Sequence, residues 1–552
     1  MSTHPRLDRA GLIVTATGIV SASAVSNALD ERSTVAFSFG FFVYLALIAF
    51  AASRDAFRYS YVVAFAAFAV TYIGLDHIQD GLGAPILVYV GAAGLATAVT
   101  PAAYRSLTVG AFALWTPAIR FFGPHPFDAF FPLSVTIAAV LALFALVAIL
   151  VARDAITPDE RVRRIGLGLL SVACVATVAD RHASVASPGV IAPDDLLVVA
   201  AVGIFPLLAV IRLRPVLRDA LATGLALAIY ALAGTALVVG QPYGVDTVVA
   251  QHRATQLFLQ GENPYRSIDV IASLKDFGLD PALGTHLEDG SQVHSLNYPA
   301  LAFLVPAPFM ALGVTDIRIV YLGEVLLLVL ILVRPIRLPW RPLVAAVVIG
   351  SAIISRQNIA AGVDPSYAVL LALGFVSIRY RTISPILIGL AVASRQPAWF
   401  FAPFYVLAIW RRDGRGEALR RAGILAVTAI LPNLPFFLGA PEPFLRGVTA
   451  PMLTALEPYG VGLVRFGLDG VLPLFPRGIY GLLTAVALAG LLTLLWRRWR
   501  TFPNGAVVFA SLVLWFSWRS AQNYFGFAGV FSLIGDETML ADEDTAPSRA
   551  PG

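Results

Sequence analysis

"LATGLALAIYALAGTALVVGQPYGVDTVVAQHRATQLFLQGENPYRS", residues 221–267, holds an abrupt change of solvent preference. Its first half, to Gly240, carries no charge, and about 20 such residues suffice to cross a hydrocarbon core roughly 30 Å thick. Within six residues of Gly240 the chain reaches Asp246, then His252, Arg253 and Glu262, and it stays polar to about residue 296. A membrane helix that emerges into one long polar segment is the reading from which the fold follows.

The rest of the chain repeats the first half of that stretch. Of 552 residues, 58% are hydrophobic and 13% charged, with a mean hydropathy of +0.79. Soluble domains carry about 25% charged residues, so this composition places the chain among integral membrane proteins. "TVAFSFGFFVYLALIAFAAS" and "SVTIAAVLALFALVAILVA" are two more uncharged runs of spanning length. Such runs lack the period-two alternation of a barrel. The expected fold is therefore all-α, a polytopic bundle of about 17–18 transmembrane helices. The first apolar run, from near Ala10, reads as a retained span and not as a cleaved signal. The formal charge of +5 is nearly all arginine, Lys275 being the single lysine, and it reads as coding bias, not as a nucleic-acid surface. Cys174, the one cysteine, excludes an intrachain disulfide.

Arginine clusters set the orientation, because cytoplasmic loops carry the excess of positive charge. They are "RDAFR" near residue 55, 153–164, 212–218, 334–341, 379–381, 411–421 and 497–500. With all of them cytoplasmic, eight spans fall within 1–218 and a ninth near 219–239. The later spans fall near 318–334, 342–360, 365–379, 383–395, 398–411, 422–439, 476–496 and 504–518, with a short final one near 524–535. The stretch 296–313 is apolar but broken by three prolines, and a crossing there would invert every later cluster. It is therefore expected to be re-entrant or to lie on the outer surface. Three units result: an N-terminal eight-span module, 1–218; a second module, 219–535, with a long outer loop 240–317; and an acidic, disordered tail, 536–552.

This parity brings the outer loop, the "GVDPS" turn at Asp364, the "SRQP" turn at Arg395 and the loop 440–475 to one side of the membrane. The short spans between these turns point to a cavity open on that side. In the opening stretch, Ala250, Ala254, Leu257 and Phe258 share one helical face while His252, Gln256 and Gln260 share another, the pattern of an amphipathic helix lying on the membrane surface. Gly261 suits its C-terminal cap and Pro264 prevents its continuation. Asp246 has two readings from position alone: an N-cap accepting backbone N–H groups, or a general base.

A span, an outer loop opening on aspartate, an amphipathic helix, G-x-N-P-Y and a later Tyr-Pro before an apolar run resemble the GT-C superfamily of polyprenyl-phosphate-sugar-dependent glycosyltransferases. The glycosyltransferase 87 family is the nearest likeness. The residues that carry it are 243–265, 297–313 and "IGLAVASRQPAWFFAPFYVL" (388–407), with weaker support from 444–463. The resemblance spans roughly 219–535 and leaves out 1–218. Departures are Ala300 where the family often has a second proline after Tyr298-Pro299, and Arg395 where it often has lysine.

The resemblance implies a hexosyltransferase, with mannose one such hexose. It would act extracytoplasmically in the cell membrane on a polyprenyl-phosphate sugar and a lipid or glycan acceptor, without cofactor or nucleic acid, and no metal cluster is legible in the residues. It makes Asp246 the catalytic base. Arg395 becomes the donor-phosphate ligand, with Gln396 and His294 beside it; the competing reading of Arg395 is a boundary arginine reaching to headgroups. His252, Glu262, Tyr265, Tyr298 and Asp364 are further substrate-binding candidates. Each has a plainer reading as wet loop, turn or aromatic belt. Glu324 lies within a span, where an ionisable residue is a functional candidate or the partner of an arginine such as Arg318. The rival class is a transporter or flippase for a lipid-linked or small solute, which inverted repeats would favour; no convincing repeat is visible. A non-catalytic scaffold would explain 1–218 but not the polar cluster.

Overall fold

The computed structural model of the protein describes residues 213–534 with short interruptions, and scattered positions between Glu160 and Ile211. The expected eight-span module and the acidic tail lie almost wholly outside the described residues. What is described is helical, with one minimal sheet in which Tyr459–Gly460 pairs in parallel with Arg519–Ser520. In chain order the principal helices are α1 (Pro215–Gly240), α2 (Asp246–Leu259), α3 (Val270–Asp276), α4 (Arg318–Val333), α5 (Arg341–Ile349), α6 (Ser366–Val376) and α7 (Ile383–Ser394). There follow α8 (Phe401–Asp413), α9 (Arg415–Ile430), α10 (Leu434–Gly439), α11 (Pro441–Val448), α12 (Arg477–Arg498) and α13 (Gly505–Leu514).

Two described helices, α1 and α12, are long and apolar enough to cross a membrane. Pro215 starts α1 at a position where its missing N–H costs nothing. Ala222, Ala226, Ile229, Ala233 and Leu237 line its buried stripe at spacings of three and four. Gly234 lets α4 close in, since a Cβ there would stand 2.7 Å from Leu322 Cδ1. In contrast, α12 buries only Tyr480 and Leu495 and exposes Leu482 and Val486. Of the helix expected over 342–360, residues 341–349 are α-helical and 354–360 wind as a π-helix.

The opening stretch departs from its expected place. Of the face of α2 expected to be polar, His252 is buried, Gln256 half-buried and Gln260 exposed, and Thr247, Gln251 and Thr255 are buried as well. It is roofed by Leu301–Leu304 and Ala307–Ala311, two short helices into which the prolines split the apolar stretch 296–313, and it is flanked by α3. Thr255 Oγ1 donates to Phe303 O at 3.1 Å, tying the roof down.

Arg318 fixes where α2 begins. Its guanidinium donates to Val238 O and Gln241 O at 2.7 Å, to Pro242 O at 3.1 Å and to Ala360 O at 2.7 Å, and Asp316 balances its charge at 2.7 Å. The open carbonyls at the end of α1 and of the π-helix are thereby satisfied by one buried side chain. Gly244 N donates to Ala361 O at 3.2 Å, and Gly362, at φ +89°, leaves room for Val248, whose side chain would meet a Cβ there at 2.7 Å. The start of α2 is thus held against the turn that carries Asp364.

Candidate active site

Asp246 is the first residue of α2, not its cap. Val245 occupies the cap position and no side chain caps the helix. The half-buried carboxylate is held by the outer loop instead: Thr285 donates to Asp246 Oδ2 from its N–H at 2.9 Å and its hydroxyl at 2.6 Å. The capping reading is therefore corrected. Both donors of Thr285 fall on one oxygen. Oδ1 keeps a weaker 3.4 Å contact from Thr247 Oγ1.

Thr247 leads from the carboxylate to the cation. Its hydroxyl and that of Tyr298 lie 2.8 Å apart. The Arg395 guanidinium stands over the Tyr298 ring, 5.2 Å from its centroid. Both charges act on the Tyr298 hydroxyl: burial pushes it up to about 12, Asp246 adds to the rise and Arg395 opposes it. Arg395 is buried, 4% exposed, which corrects the reading that has it reach to headgroups. Its Nη1 donates to Asp364 O at 3.2 Å, and among the described residues no carboxylate forms an ion pair with it. Asp364 is wholly buried; its Oδ1 accepts Ser366 N at 2.8 Å and its Oδ2 accepts Gln251 Nε2 at 3.4 Å. Burial raises the Asp364 carboxyl above the ordinary range, with Arg395 opposing. Tyr321 donates to Gln251 Oε1, so α4 anchors the same network.

Six candidates fall elsewhere. Gln396 does not face an anion: its Nε2 donates to Asn297 O at 2.6 Å and Val448 O at 3.1 Å, stitching two backbone segments. His294 is exposed and pairs with Asp269 at 3.0 Å, the N-cap of α3. Glu262 is exposed. Tyr265 lies among Phe303, Phe436 and Phe444 and donates to Tyr298 O at 2.6 Å. The G-x-N-P-Y motif is thus a clasp. Asn263 caps the short helix begun by Pro264 and donates to Phe436 O at 3.1 Å, and Tyr265 holds the backbone that carries Tyr298. His252 is buried; its Nδ1 lies 2.7 Å from the Tyr243 hydroxyl and its Nε2 3.2 Å from Gln256 Nε2. Burial lowers its pKa to about 4, so it is a neutral packing residue at pH 7. Glu324 does not pair with Arg318, whose charge goes to Asp316.

Thr285, Thr247 and Gln251 were not singled out in the sequence. Thr285 gives no local signal, because its contact with Asp246 depends on the loop's return. Gln251 gives a faint one, as a polar residue one step off the apolar face of α2.

Beside Tyr298 an apolar groove of about 250 Å3 is lined by Pro299, Val392, Trp399, Ile430, Phe437 and Phe444. Asn433 Oδ1 accepts Ala300 N at 2.8 Å and holds one wall to the other. Val392 and Trp399 flank Arg395 in sequence, so the groove runs beside the segment that carries the cation. Among the described residues no group of three or more His, Cys, Asp or Glu is placed to hold a metal ion. No family model, no curated protein and no solved structure matches this chain.

Proposed function

We propose that the protein is a multi-pass membrane glycosyltransferase that moves a hexose from a polyprenyl-phosphate donor to a lipid-linked or glycan acceptor on the extracytoplasmic side of the cell membrane. The observation that carries this reading is the meeting of Asp246 and Arg395 at Tyr298, although 149 residues separate them. Both come from segments of the GT-C resemblance, and the apolar groove that includes Pro299, next to Tyr298 in sequence, suits the first isoprene units of the donor.

In the proposed reaction the acceptor oxygen attacks the anomeric carbon. Its proton passes to Asp246 Oδ1, the oxygen that Thr285 leaves free. The bond from that carbon to the phosphate oxygen breaks, and the electron pair stays on the polyprenyl phosphate. Arg395 faces the charge that develops there, a site where a preorganised cation lowers the barrier. The carboxylate is regenerated when the proton leaves to solvent.

The test is transfer by purified protein in lipid, given a panel of polyprenyl-phosphate sugars and acceptor lipids. Absence of both transfer and donor hydrolysis across the panel would refute the reading. One observation favours transport instead: Glu324 Oε2, buried in α4, has no hydrogen-bond partner, as expected of an ionisable group on a solute path. Solute uptake by the same proteoliposomes, lost in Glu324→Gln, would establish that reading.

A further inference from the structure

Two features near Arg395 are incomplete. The guanidinium offers five N–H donors and makes one hydrogen bond, to Asp364 O. Its face is taken by the Tyr298 ring, which leaves the in-plane N–H groups uncommitted. The hydroxyl of Tyr367, on the first turn of α6, is buried and has no hydrogen-bond partner. A buried hydroxyl without a partner is costly and rare in a folded protein.

The two features share one place. Tyr367 lies three residues beyond Asp364, whose carbonyl Arg395 holds, and α6 packs on the 3-10 turn Gln396–Phe400 that follows Arg395. Its ring meets Phe527 edge-on at 6.1 Å, three residues past Tyr524 in sequence. The charges and dipoles of Arg395, Tyr367 and Tyr524 act on one another. Every uncommitted group in this set can donate a hydrogen bond. Asp364, the acid whose carbonyl Arg395 holds, has its two carboxylate oxygens engaged by Ser366 and Gln251. What would satisfy the set is a group rich in acceptor oxygens that carries negative charge, and a sugar hydroxyl lacks that charge.

We infer that Tyr367 completes a phosphate cradle around Arg395, its hydroxyl donating to a non-bridging phosphate oxygen of a lipid phosphate. The inference rests on the glycosyltransferase reading only for the choice of that ligand. It also accounts for the unpartnered hydroxyl, which would be retained for the ligand and not for the fold.

The experiment measures binding of farnesyl phosphate, and of farnesol with the same tail, to the full-length protein in lipid nanodiscs, together with the unfolding midpoint. Tyr367→Phe removes one oxygen. It should weaken farnesyl phosphate about tenfold or more, the worth of one hydrogen bond to a charged group, and leave farnesol unchanged. Its unfolding midpoint without ligand should equal or exceed that of the wild type. Wild-type affinity in Tyr367→Phe, or a wild-type protein that binds farnesol as tightly as farnesyl phosphate, would overturn the cradle. A lowered midpoint with unchanged affinity would do so as well, by giving the hydroxyl a structural partner. Intact phosphate binding without sugar transfer would refute the enzyme and leave the cradle standing.

Discussion

Asp246→Asn separates chemistry from folding more cleanly than any other change. The carboxylate accepts two hydrogen bonds from Thr285, and neither donor depends on a second acid. Asparagine retains a carbonyl oxygen for that pair and loses the negative charge. A hydrogen bond to a charged acceptor is worth about 1 kcal/mol more than one to a neutral acceptor, and a negative charge on the first turn of a helix about another 0.5 kcal/mol. The fold should lose about 2.5 kcal/mol and survive. Turnover should fall by about 10²-fold or more, since the amide accepts no proton from the acceptor, and donor affinity should hardly move. The measurement pairs steady-state transfer in proteoliposomes with thermal unfolding and donor binding. Thr285→Val supplies the control: it deletes the 2.6 Å hydroxyl contact, keeps the N–H, and should cost turnover about tenfold at unchanged donor affinity. Near-normal turnover in Asp246→Asn would refute the assignment of the base, whatever became of stability.

Arg395→Ala should weaken donor binding by about 10²-fold and Arg395→Lys should recover part of it, since lysine restores the charge without the planar donor fork; equal affinity in all three proteins would exclude a phosphate ligand role. Gly447→Ala should cost about 2 kcal/mol or more in thermal unfolding, because its Cβ would stand 2.0 Å from Leu296 O, a backbone atom that no rotamer change relieves. Stability should fall as pH drops from about 6.5 to about 4, by about 3 kcal/mol at full extent. The folded state keeps His252 neutral while the unfolded chain takes up a proton. His252→Gln should flatten that part of the unfolding profile. Cysteines at the exposed Ser267 and Ser291, in a Cys174→Ala background, should react with an impermeant thiol reagent in intact cells; protection of both until the membrane is opened would overturn the proposed orientation.

The helices were legible where punctuation is local. Pro215 and the arginines near 334 and 497 bracket α1, α4 and α12, and the turns at Asp364 and Arg395 appear where polar residues interrupt apolar runs. The burial of α2 was not legible. Its pattern is amphipathic, and the pattern alone does not say whether the polar face meets water or a network. Here it meets one: Gln251 bonds Tyr321 and Asp364, and His252 bonds Tyr243, partners 9 to 113 residues away. The same holds for Gln396, which sits next to Arg395 in sequence yet turns to the carbonyls of Asn297 and Val448. Adjacency along a chain fixes neither side chain's direction once the backbone leaves a helix, and Arg395 is extended at φ −155° where α7 ends.

That extended residue also explains why the site stands where it does. Helix α7 ends at Ser394 and the 3-10 turn begins at Gln396, so Arg395 projects from a break between two helical axes. Asp246 stands at the corresponding break after α1, and Asp364 at the one between the π-helix and α6. Helix ends leave backbone groups without intrahelical partners. Arg318 satisfies those at the end of α1, and Arg395 takes the carbonyl of Asp364 while most of its donors stay uncommitted. Two buried arginines at similar helix breaks therefore do different work. Arg318 is saturated by four carbonyls and Asp316 and serves the fold. Arg395 is nearly as buried and far from saturated, and that difference is the physical argument for giving it a ligand.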